Sequence, residues 1–504
     1  MPSIQLRVFS TLVICGLSFF LLAGKTSSHS KISDWLLKKY KTQSQRDELP
    51  TVLIFMKEEA DFSKINQKAP RADRIKNVFH QLVKTSQKSQ IDLLAWLESE
   101  KISARSFYIN NMIVADKVSL EQLEQIAQRE DVLKIVGNPP VPQTLPKVMR
   151  ESDDEPKGPG ANLVRLGAVK VWDEFKVKGE NIVVAGQDTG VRWDHAALKS
   201  HYRGWDGKSA DHSYSWHDSV HKNIGGSSSC GYDSTTPCDD HSHGTHTLGT
   251  VVGDDSQGNQ IGVAPSAKWV ACRNMDSGIG SPEMYVECFQ WFLAPWPQNG
   301  DPIQDARPEL APHVINNSWG CPKSEGCEGN EFERILKALR AAGIFVVVSA
   351  GNDGSSCGSL NTGPAFHSDL VLSVGAVNHR TDTIASFSSR GPSSFDNKIG
   401  PHVTAPGVDV RSAVPSGGYA ESGWSGTSMA GPHLVGLVAL LWSSDPSLVG
   451  NIEATEELIR STAEPKTSTQ TCGGTEGSAI PNNTFGYGIA NAYAAVKNRI
   501  EKMK

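Results

Sequence analysis

Four short stretches of the 504-residue sequence carry side chains that could do chemistry. Val183 to Gly190 is an apolar run that ends in Asp188 and a glycine turn. His241 to Thr250 holds three imidazoles, at His241, His243 and His246. Val347 to Gly354 runs into a turn at Asn352, and Gly426 to His433 places Ser428 just ahead of the apolar run Leu434–Trp442. A carboxylate, an imidazole and a hydroxyl are the parts needed to activate an oxygen nucleophile by proton transfer. Taken singly, each stretch also has an ordinary reading. An Asp after a strand closes a turn, Asn-Asp-Gly is a tight turn, and Gly-Thr-Ser before a helix is a cap.

A zinc reading competes for the same imidazoles, because seven of the fifteen histidines lie between His201 and His246 and three of them are spaced H-x-H-x-x-H. That spacing approaches the signature of metallo-β-lactamase-like hydrolases, which places an acid just before the last histidine. Thr245 stands there instead, and zinc would leave Asp188, Asn352 and Ser428 without a role. A Gly-x-Ser-x-Gly esterase is disfavoured by the Gly-Thr-Ser-Met-Ala context of Ser428.

The elements that would position these groups fall into two parts. From residue 161 to 504, short continuous apolar runs (Ile182–Ala185, Ile344–Val348, Leu370–Val374) alternate with helical segments. Runs without polar alternation predict strands buried on both faces, an α/β doubly wound, mostly parallel sheet under helices. The Leu434–Trp442 run is apolar on all sides and predicts a helix inside that domain. His201–Asp240 reads as a long polar surface loop. Residues 50–141 predict a small α+β unit in the order strand, helix, strand, helix, strand. Its strands are Thr51–Met56, Ser106–Val114 and Val132–Val136; one helix face carries Ile75, Val78, Phe79, Leu82 and Val83, and the second helix is Leu120–Ile126. Residues 142–160, rich in proline, glycine and charge, read as an exposed, protease-accessible linker.

Composition excludes some partners. A net charge of −6 gives no reason to expect nucleic acid or an anionic membrane. Arg7, the apolar run Val8–Ala23 and the small residues after it predict a secretory signal peptide over residues 1–28. That run is short for a bilayer core of roughly 30 Å, so the mature chain is expected to be secreted, extracellular and off the membrane. Cys15 leaves with the leader, and the eight remaining cysteines suit disulfides; Cys230–Cys238 and Cys321–Cys327 close the shortest loops. Asn482-Asn483-Thr484 is a glycosylation sequon in a polar stretch, whereas Asn316-Asn317-Ser318 follows a strand and is expected to stay unmodified.

Together, and in the chain order Asp, His, Ser, the four stretches resemble the subtilisin family of serine endopeptidases. Residues 203–207, 316–320 and 386–392 look like its bacillopeptidase F branch. The resemblance implies catalytic roles for Asp188, His243 and Ser428 and an oxyanion-binding role for Asn352. It implies that Ser318, Trp319 and Gly320, with Ser349, Ala350 and Gly351, flank a bound polypeptide substrate. It also implies that residues 50–141 are a ferredoxin-like inhibitory propeptide of a self-processing zymogen, an intramolecular partner of an otherwise monomeric enzyme. No cofactor is required for the chemistry. Structural calcium occurs in the family, but Ala197 stands where a ligand is expected, the acidic loop Gly253–Ser256 reads as solvated surface, and no metal ligands are assigned.

Overall fold

The computed structural model describes residues 28–42, 48–145, 150–152, 158–329, 331–422 and 424–503. The expected leader lies outside them apart from its last residue. The amino-terminal part comprises α1 (Asp34–Thr42), β1 (Val52–Met56), α2 (Arg71–Ser99), β2 (Ala104–Phe107), β3 (Met112–Ala115), α3 (Leu120–Gln128) and β4 (Val132–Gly137). Its strands form an antiparallel sheet in the order β2-β3-β1-β4, which with the two crossing helices is the split βαβ arrangement. The Ser106–Val114 run is thus a hairpin rather than one strand. Asn111 at φ 52° turns the chain, a conformation asparagine tolerates better than most residues. α2 outruns its readable apolar face because polar Gln90 is buried in mid-helix, where it bonds the Phe107 carbonyl and Asn111 Oδ1.

β1 reads as an unbroken apolar run because both of its faces are covered. Val52, Ile54 and Met56 pack with Leu93, Leu97, Leu123 and Ile126 of the helices above. Leu53 and Phe55 join a cluster that continues into the larger part of the chain.

That larger part is built from β5 (Val183–Asp188), β6 (Trp216–Asp218), α4 (His243–Val252), β7 (Lys268–Arg273), α5 (Pro282–Leu293), β8 (Val314–Asn317), α6 (Glu333–Ala342), β9 (Phe345–Ser349), β10 (Leu372–Val377), β11 (Val403–Pro406) and α7 (Thr427–Ser444). Seven strands make one parallel sheet in the order β11-β10-β9-β8-β5-β7-β6. Successive residues of a strand serve opposite faces. Val184, Val314 and Val347 pack with α4 and α7, while Ala185, Ile315 and Val348 pack with α5 and α6. Full burial on two faces is what a continuous apolar run encodes. α7 is buried from Thr427 to Trp442, as its all-round apolarity predicts.

The His201–Asp240 stretch is more than surface loop. It contributes β6, an edge strand of the main sheet, with Trp216 through Val220 buried. No apolar periodicity announces β6 because its Asp218 is paired internally: fully buried Arg273 meets Asp218 at 3.0 Å and Asp240 at 2.6 Å. Four disulfides tie the larger part together, the two short-loop pairs and also Cys272–Cys288 and Cys357–Cys472. Asn482 does not present a glycan acceptor: it is buried, and its side chain bonds the Thr484 and Phe485 amides and two carbonyls. Asn316 is likewise buried, in β8.

The small sheet sits on α5 and α6. Gln290 Oε1 of α5 accepts from the Tyr108 and Ile109 amides. Arg71 and Arg74 of α2 donate to the Gly343 and Ala341 carbonyls at the carboxyl end of α6, where the helix dipole favours a cation.

Candidate active site

The direction of chain winding changes between β5 and β8, and a crevice outside the carboxyl ends of the strands is expected at such a switch point. Asp188 ends β5, Ser318 follows β8, and Asn352 lies three residues past β9. Two helices, α4 and α7, begin over the same crevice and bring His243 and Ser428 in their first turns.

His243 Nδ1 meets both Asp188 oxygens, at 2.7 and 2.9 Å, and both residues are buried. The Thr189 amide and the Thr247 hydroxyl donate to the same carboxylate. With Nδ1 held by an anion, the hydrogen sits there and Nε2 carries the lone pair. Among the described residues Nε2 has no hydrogen-bond partner. The turn that sets this geometry is closely packed: a side chain at Gly244 would run into the Gly190 carbonyl oxygen at 2.0 Å.

One positioning residue is missed by motif reading. Asp239 accepts from the His241, Ser242 and Thr245 amides and from the Thr245 hydroxyl, closing the amino terminus of α4. It also accepts from Thr189 Oγ1 at 2.9 Å. One carboxylate therefore ties the loop after Asp188 to the helix that carries His243. An acid a few residues ahead of a helix was the available signal.

At α7, Pro432 has no N–H to give the Ser428 carbonyl four residues back, and Ser318 Oγ donates to that carbonyl instead. The Ser428 hydroxyl donates to the Ser318 carbonyl at 3.2 Å. Asn352 Oδ1 accepts from the Thr427 amide at 2.9 Å and from its hydroxyl at 3.0 Å. Since an N–H can only donate, the oxygen of Asn352 must face Thr427, and Nδ2 is left to donate elsewhere.

Beside Ser428 lies a cleft of about 150 Å³ lined by Ser318, Trp319, Gly320, Ser349, Gly351 and Asn352. Trp319 gives the cleft little of its ring, which stacks on Tyr285 at 3.8 Å. Ala350 is buried behind the cleft, and its amide donates to the Val374 carbonyl in the sheet. Residues 142–145, within the segment read as a linker, line the same cleft. Val141 and Pro142 pair as a strand with Gly280 and Ile279. The Gln143 carboxamide donates to the Gly320 carbonyl at 2.8 Å and accepts from its amide at 3.2 Å. Farther along, Arg150–Ser152 pairs with Tyr419–Ser422.

The three histidines do not act together. His246 Nε2 bonds the Val410 carbonyl, its ring stacks on Trp424 at 4.2 Å, and burial lowers its pKa to about 3. Among the described residues no three His, Cys, Asp or Glu side chains are grouped to hold a metal. The residues weighed for calcium do not fit the ion. Ala197 is buried, and Asp255 already accepts from two amides, the Asn259 side chain and Tyr419.

The family model described as "Subtilase family" matches residues 179–488. The chain is 34% identical to Bacillopeptidase F of Bacillus subtilis (strain 168) over 97% of its own length and 35% of that relative's. It is 34% identical to Subtilisin DY of Bacillus licheniformis, over 54% of this chain and 80% of the relative. For Subtilisin E of Bacillus subtilis (strain 168) the figures are 33%, 53% and 57%.

Proposed function

The chain belongs to the subtilase family, and from that premise we propose that it is a secreted serine endopeptidase made as a self-processing zymogen. Ser428 Oγ attacks the substrate carbonyl as its proton passes to His243 Nε2. Asp188 holds the other ring nitrogen and stabilises the imidazolium. Negative charge on the carbonyl oxygen is met by Asn352 Nδ2 and the Ser428 N–H at the positive end of α7. As the C–N bond breaks, His243 gives its proton to the leaving amine, and water then hydrolyses the acyl-enzyme by the same relay.

The single observation that carries this reading is the Asp188–His243 pair, whose Nε2 has no partner among the described residues, together with a cleft lined by Ser428 and Asn352. Residues 50–141 act as an inhibitory propeptide and folding partner, with processing between residues 138 and 160. This rests on the chain from Val141 to Leu145, which runs from the small sheet into the cleft.

Labelling the purified protein with a fluorophosphonate and sequencing the tagged peptide tests the nucleophile: Ser428 is the expected site, and any other tagged residue overturns the assignment. Ser428→Ala, expressed in a host without related proteases, is expected to stay joined to residues 50–141. Normal separation of the two parts in that variant would refute self-processing.

A further inference from the structure

The cleft beside Ser428 carries charge of one sign. Glu325 and Asp353 are its only charged lining residues; no lysine or arginine lines it among the described residues. Asp353 follows Asn352, and Glu325 sits in the short loop closed by the Cys321–Cys327 disulfide, five residues beyond Gly320. Glu325 Oε2 is buried and has no hydrogen-bond partner among the described residues. Among the described residues no ion pair is found for either acid, although the surface elsewhere pairs its carboxylates freely, as in Arg165 with Asp382 and Lys337 with Glu333.

We propose that Glu325 and Asp353 make this cleft select a cationic side chain, lysine or arginine, on the residue whose carbonyl Ser428 attacks. The inference rests on the endopeptidase reading above and names its substrate class. A carboxylate left without a partner in a partly desolvated cleft costs free energy that an incoming ammonium or guanidinium recovers. Burial and the Asp353 charge already push the Glu325 carboxyl above its ordinary value, the sign expected of two like charges facing one cleft. A neutral aliphatic side chain would leave that repulsion unrelieved, and an acidic one would add to it. Glu325 is the stronger determinant because it is the less exposed of the two.

The test uses enzyme recovered from expression of the full chain and three peptidyl phosphonates of one scaffold, with arginine, leucine or glutamate at the reacting position. A small fluorophosphonate without a peptide first counts competent Ser428. The arginine probe is expected to modify Ser428 about tenfold faster than the leucine probe, with the glutamate probe slowest. In Glu325→Gln the arginine-to-leucine ratio is expected to fall about tenfold, and Glu325→Asp should restore most of it. Because each variant is read as a ratio, a loss of folded protein cancels. Fluorophosphonate labelling with no preference for arginine would overturn this inference while sparing the protease reading. A ratio unmoved by Glu325→Gln would also overturn it. Absence of fluorophosphonate labelling would overturn the protease reading itself.

Discussion

Helices α4 and α7 each deliver a reactive side chain from the first turn, yet their amino termini are finished in opposite ways. At α4 the carboxylate of Asp239 takes three backbone amides. At α7 the neutral oxygen of Asn352 takes one amide and one hydroxyl. A filled anion site stabilises α4 and suits a helix whose imidazole would gain positive charge in the proposed reaction. An anion at α7 would occupy the field that the oxyanion of the proposed reaction would need. The difference teaches that a helix terminus can be used as a foundation or as a reagent, and that the capping residue decides which.

The contrast can be broken in order of decreasing effect. Ser428→Ala is expected to lower kcat about a millionfold, the size known for the same deletion in subtilisin. Active-site labelling and peptide hydrolysis check it against intact folding by circular dichroism. Next comes the α7 cap. Asn352→Leu should cost about a hundred- to a thousandfold in kcat with KM nearly unchanged, again the magnitude seen in subtilisin. Asn352→Asp keeps the shape but places a carboxylate beside the oxyanion, so it should lose at least as much activity. If Asn352→Asp retained full turnover, the idea that this terminus must stay uncharged would fail.

At α4 the expected effect is smaller and appears in stability as well. Asp239→Ala should cost about 1–2 kcal/mol through loss of the cap. It should also lower kcat about tenfold, because misplacing a relay group costs rate. Asp239→Asn keeps one acceptor oxygen but sets an NH2 group against the donors that the other oxygen served, so it should recover only part of the stability. Equal losses in Asp239→Asn and Asp239→Ala would show that the retained oxygen contributes nothing to the cap. Thermal denaturation and steady-state kinetics separate the two contributions.

The smallest expected effect on turnover concerns pH, which acts through stability alone. His221 lies against Glu287 at 2.9 Å and bonds Asp233, and Glu287 also meets His217 and the small domain's Arg105. Although burial opposes it, the Glu287 charge raises the His221 pKa from 6.5 to about 9. A raised pKa contributes stability that is fully present below 6.5 and lost as pH climbs through about 9. The melting temperature should therefore decline across that window, and His221→Gln should flatten the decline. An unchanged slope in the variant would remove His221 from the explanation.

Much of the architecture was readable because burial on both faces leaves a simple mark. The Ile182–Ala185, Ile344–Val348 and Leu370–Val374 runs overlap β5, β9 and β10, and the all-apolar Leu434–Trp442 run lies inside α7. β6 was not readable, because its Asp218 is paired by Arg273, 55 residues away in the chain, and its His217 by Glu287, 70 residues away. The Cys230–Cys238 and Cys321–Cys327 pairs follow from short loops. Cys357–Cys472 spans 115 residues and depends on the fold. The polar stretch around Asn482 looked exposed because its hydrogen bonds are spent inside a turn rather than on water.

The candidate site divides along the same line. Asp188, His243, Asn352 and Ser428 are proposed from short stretches, since each lies at a local feature (a strand end, a helix start, a tight turn) that neighbouring residues encode. Asp239 carried only the mark of an acid a few residues ahead of a helix, and Glu325 carried none. What each does further depends on what approaches it through space: Thr189 in one case and Asp353, which lines the same cleft, in the other. Side-chain types and local backbone preferences are properties of adjacent residues, so the chain alone names the reactive groups and the elements that present them. Which groups share a hydrogen bond, which carboxylate is left unpaired, and that Gln143 reaches Gly320 are settled by packing between distant segments, because desolvation and directional hydrogen bonding act only after those segments meet.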